Sequence, residues 1–218
     1  MRRAGVILCG GRSSRMGLPK ATLPFGAESM LARVARLLGD AVDRLILVAS
    51  PHQDLPPLQA AVPIEIVHDR FAGRGPLEGL YVGLSALPAE TEAAYVTGCD
   101  VPLLATDFVR RMFHMLGAHA IAVPKTDGYF HPLAAVYRPS VVDEISRLID
   151  DHRMRAAYLF ERASTRVVTA EELRDTDPQL LTLNNLNRPE DYFAALAAAG
   201  IEPRRDIVAA LRNESWPI

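Results

Sequence analysis

The chain has 218 residues, a formal net charge of −2, 49% apolar and 23% charged side chains, and two cysteines. That composition supports one sizeable α/β core, and it excludes a disulfide or zinc framework and a surface basic enough for general binding to nucleic acid or anionic membranes. No run is long and apolar enough to span a bilayer, and the short apolar run after Met1-Arg2-Arg3 does not read as a signal peptide, so a reducing cytoplasm is the expected compartment.

In chain order, Ala4–Cys9 is a continuous apolar run and reads as a central parallel strand covered on both faces. It stops at Gly10-Gly11, and a polar, basic loop follows through Arg12, Ser13, Ser14, Arg15, Gly17 and Lys20. Buried strand, glycine turn and cationic loop is the way α/β proteins offer backbone N–H groups to phosphates. Arg15 brings a planar fork and Lys20 a point charge. The spacing is neither a Walker loop nor a GxGxxG fingerprint, and a solvated strand-to-helix turn is the competing reading.

Thr22–Phe25 is a short segment ending at Gly26, and Ser29–Leu38 has helical spacing with Gly39 closing it. Arg44–Ala49 is the second strand, and Pro63–Val67 is the third, ending at His68-Asp69. A glycine-rich loop leads to Pro76, which suits the first turn of a helix running to about Leu87. Ala93–Thr97 is a strand leading into Cys99-Asp100, Thr106 is a candidate cap for a helix over Asp107–Leu116, and Ala120–Pro124 is a further strand. This alternation implies right-handed βαβ units and a mostly parallel sheet.

The rhythm changes after Pro124. A turn at Lys125–Gly128 precedes HPLAAVY at His131–Tyr137, helical patterns at Ser140–Asp150 and Ala156–Phe160, and a strand at Arg166–Thr169. Leu181–Asn187 leads into a last helix, Pro189–Ala199, and the tail carries only a weak helical pattern at Ile207–Leu211. The expected organisation is one domain over residues 1–200, with a first half of about 1–124 and a second of about 125–200, and a tail over 201–218.

Ligands of open α/β sheets bind beyond the carboxyl ends of the strands. That rule gathers the Gly10–Lys20 loop, Ser50, Asp69 and Asp100 on one edge. Asp100, after a buried strand and before Val101-Pro102, reads as a single carboxylate for Mg²⁺ held with substrate phosphates, or as an Asp bonding its own turn. Asp69 reads as an acceptor for the paired N–H donors of a purine edge, guanine included, or as a turn residue. Cys9 and Cys99 end neighbouring apolar runs and should lie at the crevice as unpaired thiols, open to electrostatic activation by the adjacent basic loop.

The motifs together resemble a known family, the molybdenum cofactor guanylyltransferases, within the Rossmann-like nucleotidyltransferases. The resemblance rests on LCGGRSSRMGLPK at Leu8–Lys20, GPLEGL at Gly75–Leu80, CDVPLL at Cys99–Leu104, HPL at His131–Leu133, and Asn185, Asn187, Pro189 and Asp191 in order. It implies a three-layer α/β sandwich with a mixed, mostly parallel sheet. It also implies that Leu8, Cys9 and Gly10 meet guanine through backbone beside Gly11, with Lys20 on the phosphates and Asp69 on the nucleoside. Ser50 stands where the family often has Asn for the base or ribose, and Asp100 would hold both nucleotide and Mg²⁺. His131, Asn185 and Asn187 would face the acceptor. The implied activity is transfer of GMP from GTP to the terminal phosphate of molybdopterin, with Arg15, Lys20 and Asp100 catalytic, Mg²⁺ as cofactor, and transient contact with other cofactor-biosynthesis proteins. A cytidylyltransferase with another acceptor and a catalytically silent nucleotide-binding protein are the alternatives.

Overall fold

The computed structural model describes residues 2–10, 15–69 and 75–213. Its first half runs β1 (Arg3–Leu8), a 3-10 turn at Lys20–Thr22, a hairpin of β2 (Pro24–Phe25) and β3 (Glu28–Ser29), α1 (Met30–Gly39), β4 (Arg44–Ala49), β5 (Ile64–His68), α2 (Pro76–Ser85), β6 (Ala93–Gly98) and α3 (Thr106–Leu116). The second half runs β7 (Ile121–Thr126), β8 (Tyr129–Phe130), β9 (Ala134–Tyr137), α4 (Val142–Asp150), α5 (Ala157–Arg162) and β10 (Thr165–Thr169). It ends with α6 (Ala170–Leu173), α7 (Pro189–Ala198) and α8 (Arg205–Asn213).

The main sheet has the order β10-β7-β9-β6-β1-β4-β5, with β8 added on β7. β1 pairs in parallel with β4, Leu8 opposite Val48, and with β6, Leu8 opposite Gly98. β9 alone on the main path is antiparallel to its neighbours, β6 and β7. Strict alternation along the central strands explains their unbroken apolar runs. Ile7, Leu45 and Leu47 face one core with Leu31 and Val34 of α1 and Phe108 and Met112 of α3. Val6, Ile46 and Val48 face the other with Leu77 and Leu80 of α2 and Ile145 of α4. The result is the mixed, mostly parallel three-layer sandwich expected from the sequence.

Several local expectations shift for physical reasons. Ser29 caps α1, its hydroxyl accepting from Ala32 N at 3.2 Å, but Gly39 is the last helical residue and Asp40 ends the helix. Thr106 is the first residue of α3 rather than its cap, because its hydroxyl donates to Leu37 O at 3.1 Å and ties α3 to α1. β7 continues past Pro124 to Thr126, since β8 supplies a partner for Lys125 and Thr126. β9 starts only at Ala134; Pro132 has no N–H, and the chain turns there with Ala134 N donating to His131 O. The weak pattern in the tail is a real helix, α8. Its Leu211 is buried in a third apolar cluster with Met16, Phe25, Met30, Leu186, Tyr192 and Leu196, and Ile207 packs against it. Tyr192 donates its hydroxyl to Pro24 O in the same cluster. None of the helices among the described residues is long and apolar enough to cross a membrane.

α2 lies very close to β1. A Cβ at Gly83 would sit 2.4 Å from Val6 Cγ1 and 3.0 Å from Val48 Cγ2. Gly83→Ala therefore gains up to ~1 kcal/mol of helix propensity but meets an overpacking cost of ~1–3 kcal/mol. The expected net effect is a lower urea midpoint with an unchanged slope. A midpoint at or above that of the parent protein would show that α2 and β1 can part freely.

Candidate active site

β4 and β5 lie to one side of β1 and β6 to the other, so the strand order reverses at the β1–β6 boundary. These strands are all parallel, and their carboxyl ends open on the same edge. Cys9 and Gly10, Ser50, Asp69 and Asp100 follow them directly. The topology thus produces the crevice that α/β sheets use for ligands.

Gly10, Ser50 and Asp69 form one side of it. A Cβ at Gly10 would come within 2.8 Å of Asp69 Oδ2 and 2.9 Å of Ser50 Oγ, so any larger residue would displace one of these side chains. Gln53 braces the same corner: its Nε2 donates to Cys9 O at 3.1 Å and its Oε1 accepts from Ser50 N at 2.9 Å. It belongs to no motif, and its only signal in the sequence is an amide side chain in the turn after β4. Asp69 Oδ1 is buried and has no hydrogen-bond partner among the described residues. Burial, and secondly the carboxylate of Glu78, hold the Asp69 carboxyl above the usual carboxylate range. A buried acceptor without a donor fits a ligand that brings N–H groups.

The other side is built on Lys20. Its Nζ donates to Asp100 Oδ2 at 2.8 Å and to Asn187 Oδ1 at 3.0 Å. Both charged side chains are largely shielded, at 16% and 15% exposure. Gly98 makes room for this carboxylate, since a Cβ there would lie 2.5 Å from Asp100 Oδ1. Leu186 N donates to Asp100 O at 2.9 Å, which pins the late segment to the end of β6. Asp191 Oδ2 accepts from both Asn187 N and Arg188 N at 2.9 Å and so fixes the entry of α7.

The remaining expected residues are placed as follows. Leu8 O accepts from Cys99 N, and Cys9 N donates to Val48 O, so the sheet ladder already uses these groups. Arg15 is exposed, while Gly11 lies outside the described residues. His131 Nε2 is 2.7 Å from Thr126 Oγ1, and partial burial lowers its pKa against the pull of Asp127. With Ala134 opposite Thr97, the turn at His131 stands on the same rim as Asp100. Asn185 is exposed and borders a cavity of about 280 Å³ with Leu103, Leu181 and Asn184. Asn187, not Asn185, joins the cluster.

The thiols correct one expectation. Cys9 and Cys99 are free and sit at the crevice floor at 5% and 6% exposure. Burial raises Cys9 well above the ordinary thiol value and pushes Cys99 up to about 12, with Asp100 adding to the rise and Lys20 only partly opposing it. Among the described residues, Lys20 opposes the rise at Cys99 without cancelling it, because desolvation outweighs its field.

Similarity to known proteins agrees with this geometry. The profile of the MobA-like NTP transferase domain matches residues 5–167. A probable molybdenum cofactor guanylyltransferase of Mycobacterium avium is 33% identical over 203 residues, spanning 91% of this chain and 97% of the relative. The chain belongs to the MobA-like NTP transferase family. Among solved relatives of this fold, a molybdopterin-guanine dinucleotide biosynthesis protein A from Archaeoglobus fulgidus superimposes with a TM-score of 0.73 at 20% identity, covering 90% of this chain and 98% of that one. A Mycobacterium tuberculosis protein determined in complex with manganese gives a TM-score of 0.63 at 19% identity, covering 91% and 100%.

The Asp69 environment sets a pH dependence. An acid whose folded pKa is raised costs stability once ionised, so the penalty is absent below the ordinary Asp range and grows as pH rises through the folded value. Asp69→Asn should therefore raise the melting temperature of the ligand-free protein at pH 7 and lose that advantage near pH ~3.5, below the unfolded value of ~3.9. Differential scanning calorimetry at both pH values checks this; a gain that is equal at both would assign it to something other than charge.

Proposed function

We propose that this MobA-like NTP transferase transfers GMP from GTP to the terminal phosphate of molybdopterin and releases pyrophosphate. The observation that carries the reading is the pairing of Lys20 with Asp100 across the β1–β6 crevice, in a chain whose relatives bear the name molybdenum cofactor guanylyltransferase. An acceptor phosphate oxygen attacks the α-phosphorus; one P–O bond forms and the bond to the pyrophosphate oxygen breaks. Two polyanions must meet, so positioning and charge neutralisation provide most of the acceleration.

The roles follow from placement. The Gly10 turn lines the base by backbone, Asp69 accepts the guanine N–H groups, and Ser50 lies beside them. Lys20 and Arg15 offset charge on the triphosphate and its leaving group. Asn187 and His131 face the acceptor from the second half of the chain, residues 125–200, with Asn185 beyond them. No protein nucleophile is needed, consistent with thiols that burial keeps protonated.

Asp100 is the residue that would hold Mg²⁺. No group of three or more His, Cys, Asp or Glu that could cage a metal occurs among the described residues. One carboxylate in a crevice suits an ion that keeps its waters and takes its other oxygens from phosphates. When bound, Mg²⁺ polarises the α-phosphate and neutralises charge. A reducing cytoplasm with GTP at hand is the fitting setting.

Two measurements test this reading. Asp100→Asn should lower turnover at least ~100-fold while leaving the circular dichroism spectrum unchanged, and parent-like turnover at saturating Mg²⁺ would remove Asp100 from the chemistry. Calorimetric titration with GTP, CTP and ATP should show GTP binding best; a preference for CTP would replace the guanylyl assignment with a cytidylyl one.

A further inference from the structure

The Lys20 ammonium bridges two oxygens from distant parts of the chain, Asp100 Oδ2 at 2.8 Å and Asn187 Oδ1 at 3.0 Å. Asp100 is the carboxylate assigned to the divalent cation, so its charge is already matched by a resident monovalent one. A second cation approaching Asp100 meets the repulsion of an ammonium held in a shielded site, where like charges interact more strongly than in water. Lys20 is anchored at the start of a 3-10 turn and its exposure is only 16%, so it does not simply swing into solvent. An arriving triphosphate offers more negative charge than Asp100 and draws the ammonium across.

We infer that Asn187, besides facing the acceptor, is a positioning residue for Lys20: with Asp100 it parks the Lys20 ammonium in the place of a divalent cation, and the chain admits metal only together with a nucleotide. The inference rests on the reading of Asp100 as the metal-holding residue, but it concerns the state before any substrate binds. Asn187 is fixed for this task by its own backbone. Its N–H is held by Asp191 at 2.9 Å, and the preceding Leu186 N–H is held by Asp100 O at 2.9 Å. The carboxamide is therefore presented to Lys20 by a segment tied at both ends. A cation that is displaced, rather than an empty carboxylate, keeps free metal from occupying the site unproductively.

The test is a titration of Mn²⁺ followed by the electron paramagnetic resonance signal of the free ion, with and without GTP. The parent protein should bind Mn²⁺ with GTP and show at least about tenfold weaker binding without it. Lys20→Met, similar in length and uncharged, should bind Mn²⁺ alone at least about tenfold more tightly than the parent. Asn187→Ala removes one of the oxygens that hold Lys20 and should fall between, whereas Lys20→Arg keeps the charge and should stay closed to the free ion. A role of Asn187 in folding alone would not move nucleotide-free metal affinity, and the melting temperature of each variant is read alongside. The inference is overturned if either Lys20→Met or Asn187→Ala binds free Mn²⁺ no better than the parent, or if the parent binds it equally with and without GTP. If no protein binds Mn²⁺ even with GTP, the assignment of metal to Asp100 fails first and this inference falls with it.

Discussion

A cation shared between a carboxylate and a carboxamide oxygen is the constraint on which the site depends. Lys20 comes from the loop after β1, Asp100 from the end of β6, and Asn187 from the entry of α7. They meet only because β1 and β6 are parallel neighbours whose carboxyl ends finish level, with Leu8 opposite Gly98. Gly98 then leaves space for the Asp100 carboxylate, and the Leu186 N–H brings the late segment down onto Asp100. Each link is a backbone placement, so the side chains have little freedom left to lose.

The magnitudes explain why such an ion pair can serve chemistry. Surface pairs contribute about 0–1 kcal/mol, and buried pairs often break even once desolvation is counted. Lys20 and Asp100 lie between those limits, so the fold does not rest on them. It rests on the apolar runs of the central strands, where burying each Val, Leu or Ile is worth ~1.5–3 kcal/mol before entropy. A contact contributing little net stability can be exchanged for a phosphate without loosening the sheet.

Much of this was legible in the chain. Runs such as Arg44–Ala49 are apolar because both faces are covered, and their shortness and β-branched content separate them from a buried helix. Gly10 and Asp100 stood out because α/β sheets bind ligands beyond the carboxyl ends of their strands, although either residue also suits a plain turn. Other features were illegible for equally physical reasons. Gln53 acts through its own turn and a neighbouring loop, which no spacing encodes. Thr106 looked like a cap until the proximity of Leu37 O gave its hydroxyl another partner. Asn185 and Asn187 are alike in sequence, and only the tie from Asp191 decides which one reaches Lys20. The thiols misled because the charges nearby are visible in sequence while desolvation is not. The tail helix was faint because, among the described residues, α8 presents only Ile207 and Leu211 to the cluster around Met16 and Tyr192.

The central claim is that a nucleotidyl group crosses this crevice from a triphosphate to a phosphorylated acceptor. Following two labels through one reaction tests it most directly: GTP carrying radioactive phosphorus at the α-position in one tube and at the γ-position in another, each with Mg²⁺ and molybdopterin. The expected result is α-label in a dinucleotide containing the pterin and γ-label in pyrophosphate, in equal amounts. Release of γ-label as inorganic phosphate, or α-label left in free guanine nucleotide while GTP is consumed, would contradict it.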